Sequence, residues 1–147
     1  MIMIKTLSGL FALLALLAGC ASVSIGPQAG GPVPAIVGAP GKAVVYIVRT
    51  RPDASYLTGT LVVDDQIVGS THAGTYMRLE FAPGRHRIAG YGQDTGAIAL
   101  DVQADRLYFV QHSVTGSWRA QSPHSFFTVL TESRGRAAMA GTVNAAG

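Results

Sequence analysis

From Lys42 onward the sequence breaks into short apolar runs separated by turn residues. The interval is about 8–12 residues, the spacing of a small antiparallel β-sandwich. Lys42–Arg49 (KAVVYIVR) is apolar on both faces, as a central strand must be. Gly59–Asp64 and Gln66–Ser70 flank Asp64-Asp65, which reads as a tight hairpin turn. In Thr75–Phe81, Met77, Leu79 and Phe81 fall on one face and Tyr76, Arg78 and Glu80 on the other. Ala97–Val102 directs Ile98, Leu100 and Val102 inward, Arg106–Ser113 forms another strand, and Ser125–Leu130 the last. Thr131–Ala140 suits a short helix capped by Thr131 or Ser133, although Gly135 sits inside it. The expected fold is all-β: an antiparallel sandwich of seven to eight strands with a short C-terminal helix.

Ala82-Pro83-Gly84-Arg85 matches a type II turn, with proline fixing φ at the second position and glycine accepting positive φ at the third. A hairpin centred there pairs Phe81 with His86, Glu80 with Arg87, Leu79 with Ile88 and Tyr76 with Tyr91. That register puts Leu79 and Ile88 in the core and a charge pair and an aromatic pair outside. A slip of one residue would set each pair on opposing faces.

The N-terminus has a different character. Lys5 precedes the apolar run Leu7–Leu16, which has the length of a signal-peptide core and is well short of the ~20 residues that span a bilayer. Leu17-Ala18-Gly19-Cys20 follows and resembles the bacterial lipobox. The resemblance implies cleavage between Gly19 and Cys20, a diacylglycerol group on the Cys20 thiol and an N-acyl lipid on its amine. Several acyl chains together make a durable anchor, each buried CH₂ contributing about 0.8 kcal/mol. Ala21 in place of aspartate is the pattern of outer-membrane sorting, which puts the chain in the cell envelope facing the periplasm. Residues 21–41 contain four prolines and five glycines, so no regular element is expected there. Two arrangements fit: a semi-extended tether, or an irregular arm packed on the domain through Ile36 and Val37. The expected organisation is a signal peptide over 1–19, an acylated tether over 20–41 and a sandwich over 42–147.

Cys20 is the only cysteine, which excludes an intrachain disulfide and leaves stability to an apolar core. Removing residues 1–19 leaves ten basic against eight acidic residues, too weak a balance for nucleic acid, where several phosphates must be neutralised. His72, His86, His112 and His124 show no metal-ligand spacing, and no Gly-x-Ser-x-Gly elbow is present. A hydrolase would have to assemble Ser113, His112 or His124, and Asp101 without a local signature. His86 reads as a hydrogen-bonded structural histidine, and Asp64-Asp65 as turn chemistry. No cofactor other than the covalent lipid is expected. The candidates for binding are Tyr76, Arg78, Arg87 and Tyr91, on the outer face of one hairpin, and Trp118 in a polar loop. Aromatic residues with arginine make interaction hot spots and also stack on sugar rings. The expected role is therefore a membrane-anchored, non-catalytic structural or protein-interaction module, with an envelope protein or a glycan as partner.

Several landmarks resemble a family of bacterial lipoprotein domains of unestablished function. They are Gly41-Lys42-Ala43-Val44-Val45-Tyr46, Val63-Asp64-Asp65, Gly74-Thr75-Tyr76, Pro83-Gly84-Arg85-His86 and Arg106-Leu107-Tyr108-Phe109-Val110. The similarity spans roughly residues 41–140 and implies a PEGA-like small β-sandwich with an envelope address and no assigned reaction. Asp65 replaces the usual glycine of the aspartate-glycine turn, which predicts a looser or longer connection.

Overall fold

A computed structural model describes residues 34–50, 57–92, 95–116 and 123–145. The signal peptide, Gly19, Cys20, most of the tether and Trp118 lie outside the described residues. The strands are β1 (Ala43–Arg49), β2 (Gly59–Val63), β3 (Gln66–Thr71), β4 (Thr75–Phe81) and β5 (Gly84–Gly90). They continue with β6 (Ala97–Val102), β7 (Leu107–Thr115) and β8 (His124–Leu130), the helix α1 (Glu132–Met139) and β9 (Val143–Asn144). Two sheets face each other, one in the order β8-β7-β1-β4-β9 and the other β3-β2-β5-β6.

All seven residues of β1 are buried, as its apolar pattern predicts. Ala43, Val45 and Ile47 point between the sheets, where they meet Leu61, Val63, Met77, Phe81, Ile88, Leu100, Val102 and Val110. Val44, Tyr46 and Val48 point the other way and join Phe109 and Met139 in a second apolar cluster. The outer face of this sheet is covered, and the domain has three layers there. β4 flanks β1 antiparallel and β7 flanks it parallel, so both edges of the strand are filled.

The helix forms part of that cover. Thr131 is its N-cap, with the side-chain oxygen accepting from Arg134 N at 3.5 Å. Glu132 and Arg136, one turn apart, pair at 2.7 Å on the exposed side. Gly135 is buried against Phe109, and a Cβ there would penetrate the Phe109 side chain. The glycine that weakens the helix in isolation is what lets it seat on the sheet. β9, only two residues long and too short for any periodicity, lies parallel beside Thr75 and Tyr76 of β4.

The Asp64-Asp65 connection is tight. Both residues have positive φ (47° and 66°), the requirement of a two-residue hairpin turn, and Val63 pairs with Gln66 across it. The expected loosening from the missing glycine does not occur.

The β4–β5 hairpin is corrected by the structure. β4 pairs with β1, from Ala43↔Phe81 to Arg49↔Thr75, while β5 pairs with β2 and β6 in the opposite sheet. Ala82 and Pro83 carry the chain from one sheet to the other, and Gly84 opens β5 at φ 137°. Leu79 and Ile88 both reach the core between the sheets, but from facing sheets. Alternation specifies which side of a strand is buried, not which strand lies beside it. Here β1, buried on both faces, takes β4 as an edge partner and overrides the local turn.

Replacing Gly135 with alanine isolates the seating of α1. Overpacking against Phe109 should cost about 1–3 kcal/mol, more than the ~1 kcal/mol alanine gains in helix propensity. Thermal denaturation should show a lower midpoint for Gly135→Ala than for wild type; an unchanged or raised midpoint would place the helix elsewhere.

Candidate functional site

Three polar arrangements stand out against the apolar core. The first lies on the outer face of the β1–β4 pair. Tyr46 and Arg78 are direct cross-strand partners there, and Val48 opposes Tyr76, so the three long side chains form one surface. The rings of Tyr46 and Tyr76 are 6.1 Å apart, and Tyr46 also stacks on Phe109 at 5.5 Å. Residues 36–39 lie over this surface. The Tyr46 hydroxyl accepts from Val37 N at 2.8 Å and donates to Val37 O at 3.1 Å. Arg78 Nε and Nη2 donate to Val37 O and Gly38 O at 3.4 and 3.5 Å. Ile36 and Ala39 pack into the second apolar cluster. The arm arrangement therefore holds for residues 36–41, which end with Gly41 N donating to Asp105 Oδ1 at 2.8 Å. Glu80 holds Arg78 from the side at 2.7 Å, with Lys42 Nζ 3.6 Å from the same carboxylate. The pair keeps the Glu80 carboxyl below the usual range and the Arg78 guanidinium protonated.

The second arrangement joins two turns. Asp64 Oδ1 accepts from Arg87 N at 2.8 Å, and Asp64 Oδ2 lies 2.6 Å from His86 Nδ1. His86 Nε2 is 2.8 Å from Ala82 O, and its ring stacks on Phe81. A carbonyl and a carboxylate both require a donor, so the ring carries both protons and is an imidazolium. The bond to Asp64 raises the His86 pKa above its ordinary value. The Arg87 amide, then His86, lower that of Asp64. His86 thus clasps the Asp64 turn to the inter-sheet corner at Ala82. A shallow depression of about 480 Å³ lies alongside, lined by Asp64, Arg85, His86, Arg87 and Ala97–Ala99.

The third arrangement is sealed inside. Arg49 Nη1 donates to Leu57 O at 2.8 Å and Thr71 O at 3.0 Å. The Thr71 hydroxyl shares a 2.8 Å bond with His112 Nδ1, and His112 Nε2 a 2.9 Å bond with Ser125 Oγ. Phe127 stacks on the imidazole at 4.8 Å. Arg49, Thr71, His112 and Ser125 are all buried, and such groups are tolerated in a core only when hydrogen-bonded. Gly59 and Gly90 leave room for His112 and Ser125 respectively, since a Cβ at either glycine would meet those side chains at 2.5 Å.

These positions redistribute the residues singled out from sequence. Tyr76 and Arg78 come together, against the chain's own arm. Arg87 and the exposed Tyr91 lie on β5 and just beyond it, in the other sheet, so the four do not share one face. Asp101 sits on β6 opposite Arg85, away from His112 and Ser113. His112 meets Ser125 instead. Sequence reasoning overlooked Tyr46, whose signal was a lone hydroxyl in an otherwise apolar central strand. Among the described residues no group of three or more His, Cys, Asp or Glu is placed to hold a metal ion, and no helix is long and apolar enough to cross a membrane.

A family model described as "Protein of unknown function (DUF2846)" matches residues 39–124. The chain belongs to the DUF2846 family. The DUF2846 region runs from the last arm residues to the first residue of β8, and holds Tyr46, Tyr76, Arg78, Asp64 and His86. Most of β8, α1 and β9 lie beyond it. No curated protein and no solved structure matches the chain.

The clasp gives stability a defined pH dependence. A raised histidine pKa contributes stability fully below the unfolded value near 6.5, and this is lost as pH rises through the folded value. A lowered aspartate pKa contributes above its unfolded value of 3.8 and is lost as pH falls through the folded one. Denaturation midpoints of wild type and His86→Gln should therefore differ most at about pH 5 and converge towards about pH 9. A gap independent of pH would mean that His86 acts by packing alone.

Proposed function

We propose that this DUF2846 protein is an acylated envelope lipoprotein that presents its sandwich as a non-catalytic structural or protein-interaction module. The observation that carries this reading is Leu17-Ala18-Gly19-Cys20, in register behind an apolar signal run and holding the chain's sole cysteine. Cys20 would carry the diacylglycerol and N-acyl chains, and Ala21 would direct the protein to the outer membrane, facing the periplasm. From Cys20 to Ile36, the first contact among the described arm residues, is 16 residues, at most about 55 Å of extended chain. The domain would then work within that distance of the lipid surface. Its small two-sheet sandwich is compatible with a PEGA-like module.

The non-catalytic part is supported by the state of His86 and His112. Both ring nitrogens of His86 and of His112 are already engaged, and His112 and Ser125 are sealed from solvent. A general base must come within hydrogen-bond reach of a substrate proton; His112 and Ser125 are buried in the core, and both nitrogens of His86 donate to the protein's own oxygens.

Fractionation of cells expressing wild type and Cys20→Ala tests the anchor. Wild type should incorporate a labelled fatty acid and sediment with membranes. Cys20→Ala should lose the label and leave the membrane fraction, and its retention there would replace acylation with an uncleaved signal anchor.

A further inference from the structure

We infer that the groove made by Tyr46, Tyr76 and Arg78 is a binding site for an extended apolar polypeptide segment, which residues 36–39 fill in cis. The inference rests on the interaction-module reading above and names its surface and partner class. The Tyr46 hydroxyl serves both the N–H and the C=O of Val37, as a neighbouring strand serves one residue in a ladder. Arg78 adds two longer contacts to the carbonyls of Val37 and Gly38. Every one of these bonds is to main chain. The Val37 side chain is 56% exposed, so its identity is not read. Selectivity comes from Ile36 and Ala39, which enter the apolar cluster three residues apart.

The arm is held as a ligand is held. Its own main-chain pairing with the domain is the single bridge between Ala39 and Lys42. Pro34 and Pro40 flank the bound stretch and restrict the unbound segment, which lowers the entropy lost on docking. The stretch matched by the family model begins at Ala39 and contains all three groove residues, while Ile36 and Val37 lie ahead of it. The groove thus belongs to the matched domain, and Val37, the residue whose main chain it grips, does not. A partner segment would offer two small or branched apolar side chains at i and i+3, with free main-chain groups between them. It would compete with the arm, which a short connection holds at an effective concentration of about millimolar. The arm is therefore an intramolecular inhibitor of the site.

The test uses the full chain and a labelled peptide with the sequence of residues 32–41 as the probe. Ile36→Asp removes the cis arm's apolar anchor, and loss of hydrogen-exchange protection at the Val37 amide reports its release. Val37→Pro, which removes the donor to Tyr46, is the second releasing variant should Ile36→Asp not fold. The released chain should bind the peptide at least about tenfold more tightly than wild type. Adding Tyr46→Phe should weaken that binding by roughly tenfold, the loss of a paired hydrogen bond. A released chain that does not bind millimolar peptide, or binding indifferent to Tyr46→Phe, would overturn the proposal. Light scattering that shows wild type dimerising by arm exchange would also overturn it, by assigning the groove to a second copy. Repeating the titration in the Cys20→Ala background separates this result from the fate of the lipid anchor.

Discussion

A strand with no exposed face organises this domain. β1 contributes alternate residues to two different apolar clusters, one between the sheets and one beneath the helix and the arm. Every layer touches it. Because its seven residues are buried, its hydrogen-bonding edges must also be filled, and β4 and β7 fill them. That requirement sets the order of the first sheet and sends β5 to the second. The helix, the arm and β9 are added to the outer surface this arrangement leaves.

Much of the fold was legible because alternation reports burial directly. Met77, Leu79 and Phe81 face the core as their spacing demands, and so do Ile98, Leu100 and Val102. The failures share one cause. A period of two cannot distinguish a partner beside a strand from one facing it across a core, so Leu79 and Ile88 share a core although their strands are not paired. The parallel pairing of β1 with β7 is likewise set by the whole chain and leaves no local trace. At the Asp64 turn the flanking strands predicted a tight connection, and the missing glycine a looser one; the tight one is observed. Asp64 is bound by the Arg87 amide and by His86, and these tertiary bonds offset the cost of its positive φ.

The site was half legible. Tyr76 and Arg78 were marked by composition, yet their partner is a segment assigned to the tether. Arg87 and Tyr91 were marked for the same reason and went to the other sheet along with β5. Tyr46 was hidden in plain view inside an apolar run. His112 and Ser125 lie 13 residues apart, and only the β7–β8 pairing with its neighbouring sheet brings Thr71 to the same imidazole. Buried polar chains of this kind come from topology, and no local spacing announces them.

The parallel pairing of β1 and β7 also bears on the order of events as the chain folds. Val44 waits for Leu107, and Val48 for Gln111, across more than sixty residues. Until β7 is available, the most apolar strand in the domain has an open edge. Contacts of such sequence separation slow folding and prolong the lifetime of sticky partly folded states.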